Sequence, residues 1–138
     1  MIGGDPLLNA LTERIIGAGI EVHKNLGPGL LESVYQECVL VELRHSQLLV
    51  ERERHVSLKY KGEHISGKLR IDLIVEGKVV VEIKAIDRLH PIHQAQVVTY
   101  LKLTGCPTGL LMNFNSVVLT AGLKRLNHPE LHVRKFFS

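Results

Sequence analysis

Residues 70–85, RIDLIVEGKVVVEIKA, decide the fold. Two runs rich in isoleucine, leucine and valine flank Glu76-Gly77-Lys78, so the stretch is predicted to form a β-hairpin with that turn. If Val75 pairs with Val79, Asp72 lies directly opposite Glu82. Alternation then predicts one wholly apolar face, made by Leu69, Ile71, Leu73, Val75, Val79, Val81, Ile83 and Ala85.

The second face of this hairpin is divided between apolar and charged residues. Ile74 and Val80 lie next to the turn, so both faces are expected to be buried there. Four charged side chains gather at the opposite end of the hairpin: Arg70, Asp72, Glu82 and Lys84. A hairpin with one solvated face would instead carry polar residues along its whole length.

The facing carboxylates Asp72 and Glu82 repel each other, and a cation between them would relieve that repulsion. Hard divalent ions such as Mg²⁺ favour oxygen ligands and usually take one or two carboxylates with phosphate and water. Lys84 projects from the same face, where a lysine can orient a water or stabilise charge on a phosphate. The alternative from the same residues is a salt-bridged hairpin, in which Lys84 and Arg70 neutralise the acids.

Composition predicts a single globular domain over residues 1–138. Hydrophobic residues make up 45% of the chain and charged residues 22%, which excludes a disordered chain. The apolar runs are too short to span a bilayer and no secretory leader is recognised, so no membrane association is expected. Cys38 and Cys106 lack metal-binding or redox spacing, which favours buried thiols in a reducing cytoplasm.

The net charge of +3 is compatible with a polyanionic partner. The chain has neither a lysine-rich tail nor a run of exposed aromatic residues, so nucleic-acid binding would have to come from a local groove.

Two helices are predicted before the hairpin and one after it. Asp5-Pro6 is a cap with a first-turn proline, and the helix it begins should end near Asn25. A second helix is expected over 30–45, and a third from Pro91 to about 104, with Gly105 just beyond its end. Strands are predicted over 49–60, 65–75, 79–86 and 107–114, with short strands at 117–120 and 131–133 separated by residues 122–129.

The element order is therefore α-α-β-β-β-α-β followed by short β elements. This order predicts an α/β (α+β) fold, with a central mixed sheet flanked by helices. The charged stretch 51–55, ERERH, is expected to form a solvated edge of that sheet.

Several polar residues on the helices have both a structural and a functional interpretation. Glu32, in the first turn of the second helix, and His23, in the last turn of the first, each complement a helix dipole. Gln96 and Tyr100 are four residues apart and share a helix face, which either contacts a phosphate backbone or is simply the wetter side.

The chain resembles the GxxExxY proteins, a branch of the PD-(D/E)XK nuclease-like superfamily. The resemblance runs from the first helix to about Leu126 and rests on three blocks in the expected order. They are Gly29-Leu30-Leu31-Glu32-Ser33-Val34-Tyr35 preceded by Val22-His23-Lys24-Asn25-Leu26-Gly27-Pro28, then Asp72 with Glu82-Ile83-Lys84, then Gln96-Val97-Val98-Thr99-Tyr100. Ile71 precedes Asp72 where the plainest form of the motif has proline.

The resemblance implies a restriction-endonuclease-like core and a metal-dependent nuclease. It implies that Mg²⁺ or Mn²⁺ is held by Asp72, Glu82, the backbone carbonyl of Ile83 and Glu32, the last directly or through water. It gives Lys84 the role of catalytic lysine and Gln96 that of orienting site groups or contacting substrate. The implied supporting residues are His23, Tyr35 and Tyr100.

The implied partner is nucleic acid, DNA in preference to RNA. The residues leave open whether the nuclease acts as a homodimer, since cutting two strands often needs two sites. The competing hypothesis is a nucleic-acid-binding or protein-interaction module that keeps the fold and the acids without catalysing hydrolysis.

Overall fold

The structure is a computed structural model that describes residues 5–130, apart from the side chains of residues 66–68. Its elements are helices α1 (Pro6–Leu26) and α2 (Glu32–His45), strands β1 (Val50–Tyr60), β2 (Glu63–Val75) and β3 (Val79–Lys84), helix α3 (Pro91–Thr104), strand β4 (Thr108–Asn113), a 3₁₀ helix (Leu119–Gly122) and strand β5 (Leu123–Asn127). The predicted order of helices and strands is confirmed as far as β4.

The described strands form one mixed sheet in the order β1-β2-β3-β4-β5. Strands β1, β2 and β3 are antiparallel neighbours, and β5 runs antiparallel to β4. Strand β3 is parallel to β4, and α3 forms the crossover connection that a parallel pair requires. Strand β1 lies at the edge and is largely exposed, as its charged sequence predicted.

Local sequence accounts for the helix ends. The Asp5 carboxylate accepts a hydrogen bond from the Leu7 amide at 2.9 Å, and Pro6 occupies the first turn of α1. Helix α3 begins with Pro91 and ends at Thr104, and Gly105 just beyond it has a left-handed φ of 77°, as predicted. No helix among residues 5–130 is long and apolar enough to cross a membrane.

Two apolar clusters lie on opposite faces of the sheet. The larger packs α1 and α2 against one face and includes Tyr35, Val81 and Phe114. The smaller lies under α3 and includes Ile74 and Val80, both fully buried. Burial of both hairpin faces near the turn is therefore confirmed.

The prediction of one continuous apolar hairpin face holds along β3 but is wrong at the far end of β2. Leu73 and Val75 pack with α1 and α2, whereas Leu69 and Ile71 pack with the cluster under α3. Strand β2 therefore changes the face that it buries between Ile71 and Leu73. On the neighbouring strand β1, Glu53 lies opposite this point and has a φ of 50°, a left-handed conformation that disturbs regular strand pairing. Asp72 lies between the two groups, where the strand changes the face it buries.

The prediction for the C-terminal region is also partly wrong. Residues 117–120 do not form a strand, because they lead into the 3₁₀ helix, and the predicted connection at 122–129 contains β5 instead. Residues 131–133 lie outside the described part of the chain.

Gly109 lets α3 lie close to the sheet. A Cβ at this position would come within 2.6 Å of Val97 Cγ1, far inside van der Waals contact. The absence of a side chain on β4 therefore sets how near α3, with its polar residues, approaches the acidic end of the hairpin.

Candidate active site

The two hairpin acids lie side by side at the point where the β2–β3 pairing ends. The last paired residues are Leu73 and Val81, so Asp72 and Glu82 come next in the register. The Asp72 amide donates a hydrogen bond to Glu82 Oε2 at 2.8 Å, and the Ile83 amide donates to Asp72 Oδ2 at 2.9 Å. Each carboxylate thus replaces a backbone acceptor and closes the end of the strand pair.

Each carboxylate also keeps one oxygen available to a ligand. Asp72 is 7% exposed and Glu82 3% exposed. Asp72 Oδ1 and Glu82 Oε1 accept no hydrogen bond from the described residues. Because no fully buried side-chain oxygen among those residues lacks a partner, both atoms must retain access to solvent.

The negative charges of Asp72 and Glu82 are only partly balanced by their surroundings, and the pKa values of both groups are therefore raised. Burial, together with repulsion from the neighbouring Asp72 carboxylate, raises the pKa of Glu82 to about 8. Burial also raises the pKa of Asp72, although the hydrogen bond from the Ile83 amide opposes the shift. The pair therefore tends to hold a proton that a bound cation would displace.

The cations of the hairpin do not pair directly with these acids. Among the described residues neither Asp72 nor Glu82 forms an ion pair, and Arg70 lies 3.8 Å from Glu53 instead. The Lys84 ammonium lies near enough to lower the pKa of both carboxyl groups. The structure thus favours a site with a nearby lysine over the salt-bridged hairpin that the sequence left open.

Helix α2 brings Glu32 to the same site. The exposed Glu32 carboxylate, in the first turn of the helix, raises the pKa of both Asp72 and Glu82 by charge repulsion. Within residues 5–130, however, no three His, Cys, Asp or Glu side chains are close enough to hold a metal ion by themselves.

Helix α3 brings Gln96 and Tyr100 to the acids. Gln96 Nε2 donates a hydrogen bond to the Tyr100 hydroxyl at 3.2 Å, so these residues share a helix face as predicted. Burial raises the pKa of Tyr100, and the charges of Glu82 and Asp72 raise it further, which places the phenol near both. Lys84 and Gln96 line a cleft of about 450 Å³.

His23 and Tyr35 hold loops around the site. The Tyr35 hydroxyl donates to the Gly27 carbonyl at 2.5 Å and accepts from the Leu30 amide at 3.1 Å. Its ring stacks on Phe114 at 4.6 Å. The buried His23 ring bonds through Nε2 to the Ser116 carbonyl at 2.8 Å. These contacts fix the loop before α2, which carries Glu32, and the loop after β4.

Asn113, which the sequence alone does not mark as a site residue, fixes the segment that follows β3. Asn113 is 2% exposed, pairs with Lys84 in the parallel register, and bonds both backbone groups of Ile86 at 2.9 and 3.1 Å. The signal that could have found it is a lone amide at the end of an otherwise apolar strand.

His93, also missed, lines the cleft with Lys84 and Gln96. Its Nδ1 accepts a hydrogen bond from the His90 amide at 2.9 Å, which leaves the proton of the neutral ring on Nε2. In the sequence, nothing distinguishes His93, in the first turn of α3, from a histidine that lies on the surface and has no part in a cleft.

The donor set fits a hard divalent cation. Two adjacent carboxylates, each with one oxygen not used by the backbone, match the one or two carboxylates that Mg²⁺ usually takes beside water and phosphate. The described site offers no thiolate or imidazole pair that would favour a softer metal.

A family model of the PD-(D/E)XK nuclease superfamily matches residues 9–126, and the chain belongs to this superfamily. No curated protein matches the chain. The crystal structure of SSO0001 is similar, with 22% sequence identity and a TM-score of 0.55 over 74% of this chain. The chain covers only 54% of that protein, about half of its length. At this identity the similarity supports the fold and carries nothing about activity.

Proposed function

We propose that this protein is a metal-dependent nuclease that hydrolyses phosphodiester bonds in nucleic acid. The observation that carries the proposal is the pair of buried carboxylates, Asp72 and Glu82, each bound to backbone through one oxygen and open through the other. They lie beside Lys84 in a chain of a nuclease superfamily. A hairpin that needed only charge balance would pair these acids with its own cations.

Asp72 and Glu82 are the residues that would hold Mg²⁺ or Mn²⁺, with the Ile83 carbonyl as a further ligand. Glu32, exposed at the start of α2, would act through a water, because it does not close a three-residue cluster with them. When bound, the ion would polarise a phosphoryl oxygen and lower the pKa of a coordinated water.

Lys84 is proposed to orient the attacking water or to stabilise the charge that develops on the phosphate. Its place on the wall of the cleft, within electrostatic reach of both acids, supports this role. Gln96 is proposed to contact substrate from α3, with Tyr100 fixing its amide. A single well-placed group of this kind typically contributes ~3–4 kcal/mol to barrier lowering.

We also infer that the chain belongs to the GxxExxY branch, and local geometry supports the motif. Gly29 has a φ of 103°, a conformation that favours glycine. Glu32 acts electrostatically on the acids, and Tyr35 holds the loop that leads to α2. Gly29 and Tyr35 thus shape and hold the loop before α2, and that loop sets the position of Glu32 at the start of the helix.

DNA is the proposed substrate, and a homodimer and a cytoplasmic location remain predictions. Both cysteines are free thiols, Cys106 buried and Cys38 half-buried, which supports a reducing compartment. Burial raises the pKa of the Cys106 thiol, which lowers its reactivity.

The decisive experiment is a cleavage assay on linear, circular and single-stranded DNA and on RNA, with Mg²⁺, Mn²⁺ or EDTA. Wild type, Glu82→Gln and Lys84→Ala are compared, with Lys78→Ala as control, since Lys78 is an exposed lysine in the turn at the other end of the hairpin. We expect metal-dependent cutting that Glu82→Gln abolishes and Lys84→Ala slows ~10²–10³-fold.

Full cleavage by Glu82→Gln would remove Glu82 from the catalytic assignment. If wild type cuts none of these substrates, yet binds nucleic acid equally well with Mg²⁺ and with EDTA, the non-catalytic binding module becomes the better description.

A further inference from the structure

The β1–β2 hairpin extends beyond the rest of the sheet. Strand β2 pairs with β3 only from Leu73 to Val75, whereas its pairing with β1 continues to Tyr60 and Glu63. Val56 and Leu69 still pack against the cluster under α3. Residues 57–68 lie past them and are called the hairpin arm; every side chain described in it is exposed.

The tip of the hairpin arm, residues 58–65, is a regular two-stranded ribbon. Lys61 and Gly62 have φ values of 49° and 83°. Two successive residues with positive φ are typical of the tight type I′ turn, whose twist matches that of paired strands. The pairing shifts register between Val56 and Leu58, and beyond that shift it continues up to the turn, with Lys59 opposite His64 and Tyr60 opposite Glu63.

The charges of the arm differ from those at its base. Each of the three arginines at the base has a glutamate partner: Arg52 with Glu37, Arg54 with Glu51 and Arg70 with Glu53. In the arm, the lysines Lys59 and Lys61 outnumber the one described carboxylate, Glu63, and none of the three forms an ion pair with the described residues. Lys61 Nζ lies 5.5 Å from the centre of the exposed Tyr60 ring. Unpaired cations around an exposed aromatic ring are typical of nucleic-acid contacts.

We propose that the hairpin arm binds the nucleic acid that flanks the scissile phosphate, through Lys59, Lys61 and Tyr60. The inference deepens the proposed function and rests on it. Ile65 in the arm and Asp72 in the site lie on one strand, seven residues apart. At ~3.3 Å per residue they are up to about 23 Å apart, or about seven base pairs of duplex.

The shape of the arm suits this partner. A two-stranded ribbon fits the major groove of a duplex, where its lysines reach phosphates on either side. The same arm also exposes Leu58 and Ile65, at 38% and 47%. These two apolar side chains could equally well form a contact with a second copy of the chain. The unpaired lysines at the tip favour nucleic acid, a polyanion, as the partner.

The test is the salt dependence of binding to a labelled 30-base-pair duplex in EDTA, which needs no cleavage. Lys59→Gln combined with Lys61→Asn removes both charges, and asparagine tolerates the left-handed φ of Lys61. The control, Lys78→Gln with Lys102→Gln, removes two exposed charges at the opposite end of the sheet.

We expect the arm variant to lower the slope of log affinity against log salt by about 2 and to weaken binding ~10–60-fold at 0.1 M salt. The control variant should bind as wild type does. An arm variant that keeps the wild-type slope and affinity would overturn the inference. So would a Tyr60→Ser, Ile65→Ser variant that, by light scattering, turns a dimer into a monomer without changing nucleic-acid affinity.

Failure of the proposed function gives a different result. In that case the wild type cuts nothing with any metal, and the loss of affinity in the arm variant still shows where nucleic acid binds. If the wild type cuts DNA and the arm variant binds normally, the nuclease stands and the arm has no part in it.

Discussion

Neutralising Glu82 should stabilise the metal-free protein at high pH. The pKa of this carboxyl group is about 8 in the folded chain, because it is buried and lies beside Asp72, against an ordinary value of 4.5. Between those values the folded state holds a proton that the unfolded state has released. The free energy of unfolding therefore falls as pH rises from about 4.5 to 8, the opposite of the usual behaviour of a carboxylate.

The size of the effect follows from the pKa shift. Each unit of difference is worth ~1.4 kcal/mol, so the loss across pH 5 to 8 is on the order of 2–4 kcal/mol. This is a large share of the roughly 5–15 kcal/mol that stabilises a typical domain. In Glu82→Gln the side-chain oxygen still accepts from the Asp72 amide, but the group cannot ionise. We expect the variant to equal wild type near pH 5 and to exceed it by ~2–4 kcal/mol at pH 8.

The assay is urea unfolding in EDTA at pH 5, 6, 7 and 8, followed by circular dichroism because the chain has no tryptophan. Every other group is present in both proteins, so the difference between wild type and variant at each pH reports the Asp72–Glu82 pair. Glu13→Gln, on the exposed face of α1, controls for the loss of a negative charge. A difference between wild type and Glu82→Gln that does not grow between pH 5 and pH 8 would refute the raised pKa of Glu82.

Three further outcomes are expected. Mg²⁺ binding at pH 7 should release up to about one proton in wild type and less in Glu82→Gln, as measured by calorimetry in buffers of different ionisation enthalpy. Equal proton release by the two proteins would contradict the raised pKa of Glu82. Gly109→Ala should cost ~1–3 kcal/mol in urea unfolding because its Cβ meets Val97, whereas Gly17→Ala, with open space around it, should not destabilise. Asn113→Ala should lower stability by ~1–3 kcal/mol by leaving the Ile86 backbone groups unpaired, and an unchanged unfolding midpoint would show that water replaces the amide.

Local sequence signals predicted the hairpin and the three helices well. The register around Glu76-Gly77-Lys78 was correct because apolar alternation and turn residues act over a few positions, so it also placed Asp72 beside Glu82. The caps at Asp5 and Gly105 were correct for the same reason.

Strand β5 was missed because its sequence, LKRLN, carries little apolar alternation. It becomes a strand by pairing with the edge of β4, and strand preference depends strongly on such context. The roles of Asn113 and His93 were missed because each depends on backbone groups or on a cleft built by other elements.

The sequence by itself determined the hairpin register that places two carboxylates side by side, with a lysine two residues beyond Glu82. Hairpin geometry needs only a turn and side chains that alternate with a period of two, and both features can be recognised within a few residues of sequence. Only the tertiary structure decided that the acids are buried, that Arg70 turns to Glu53, and that β1 and β2 project as an arm. These properties depend on what packs against the hairpin from α2, α3 and β1, and burial rather than residue type sets the charge of an acid.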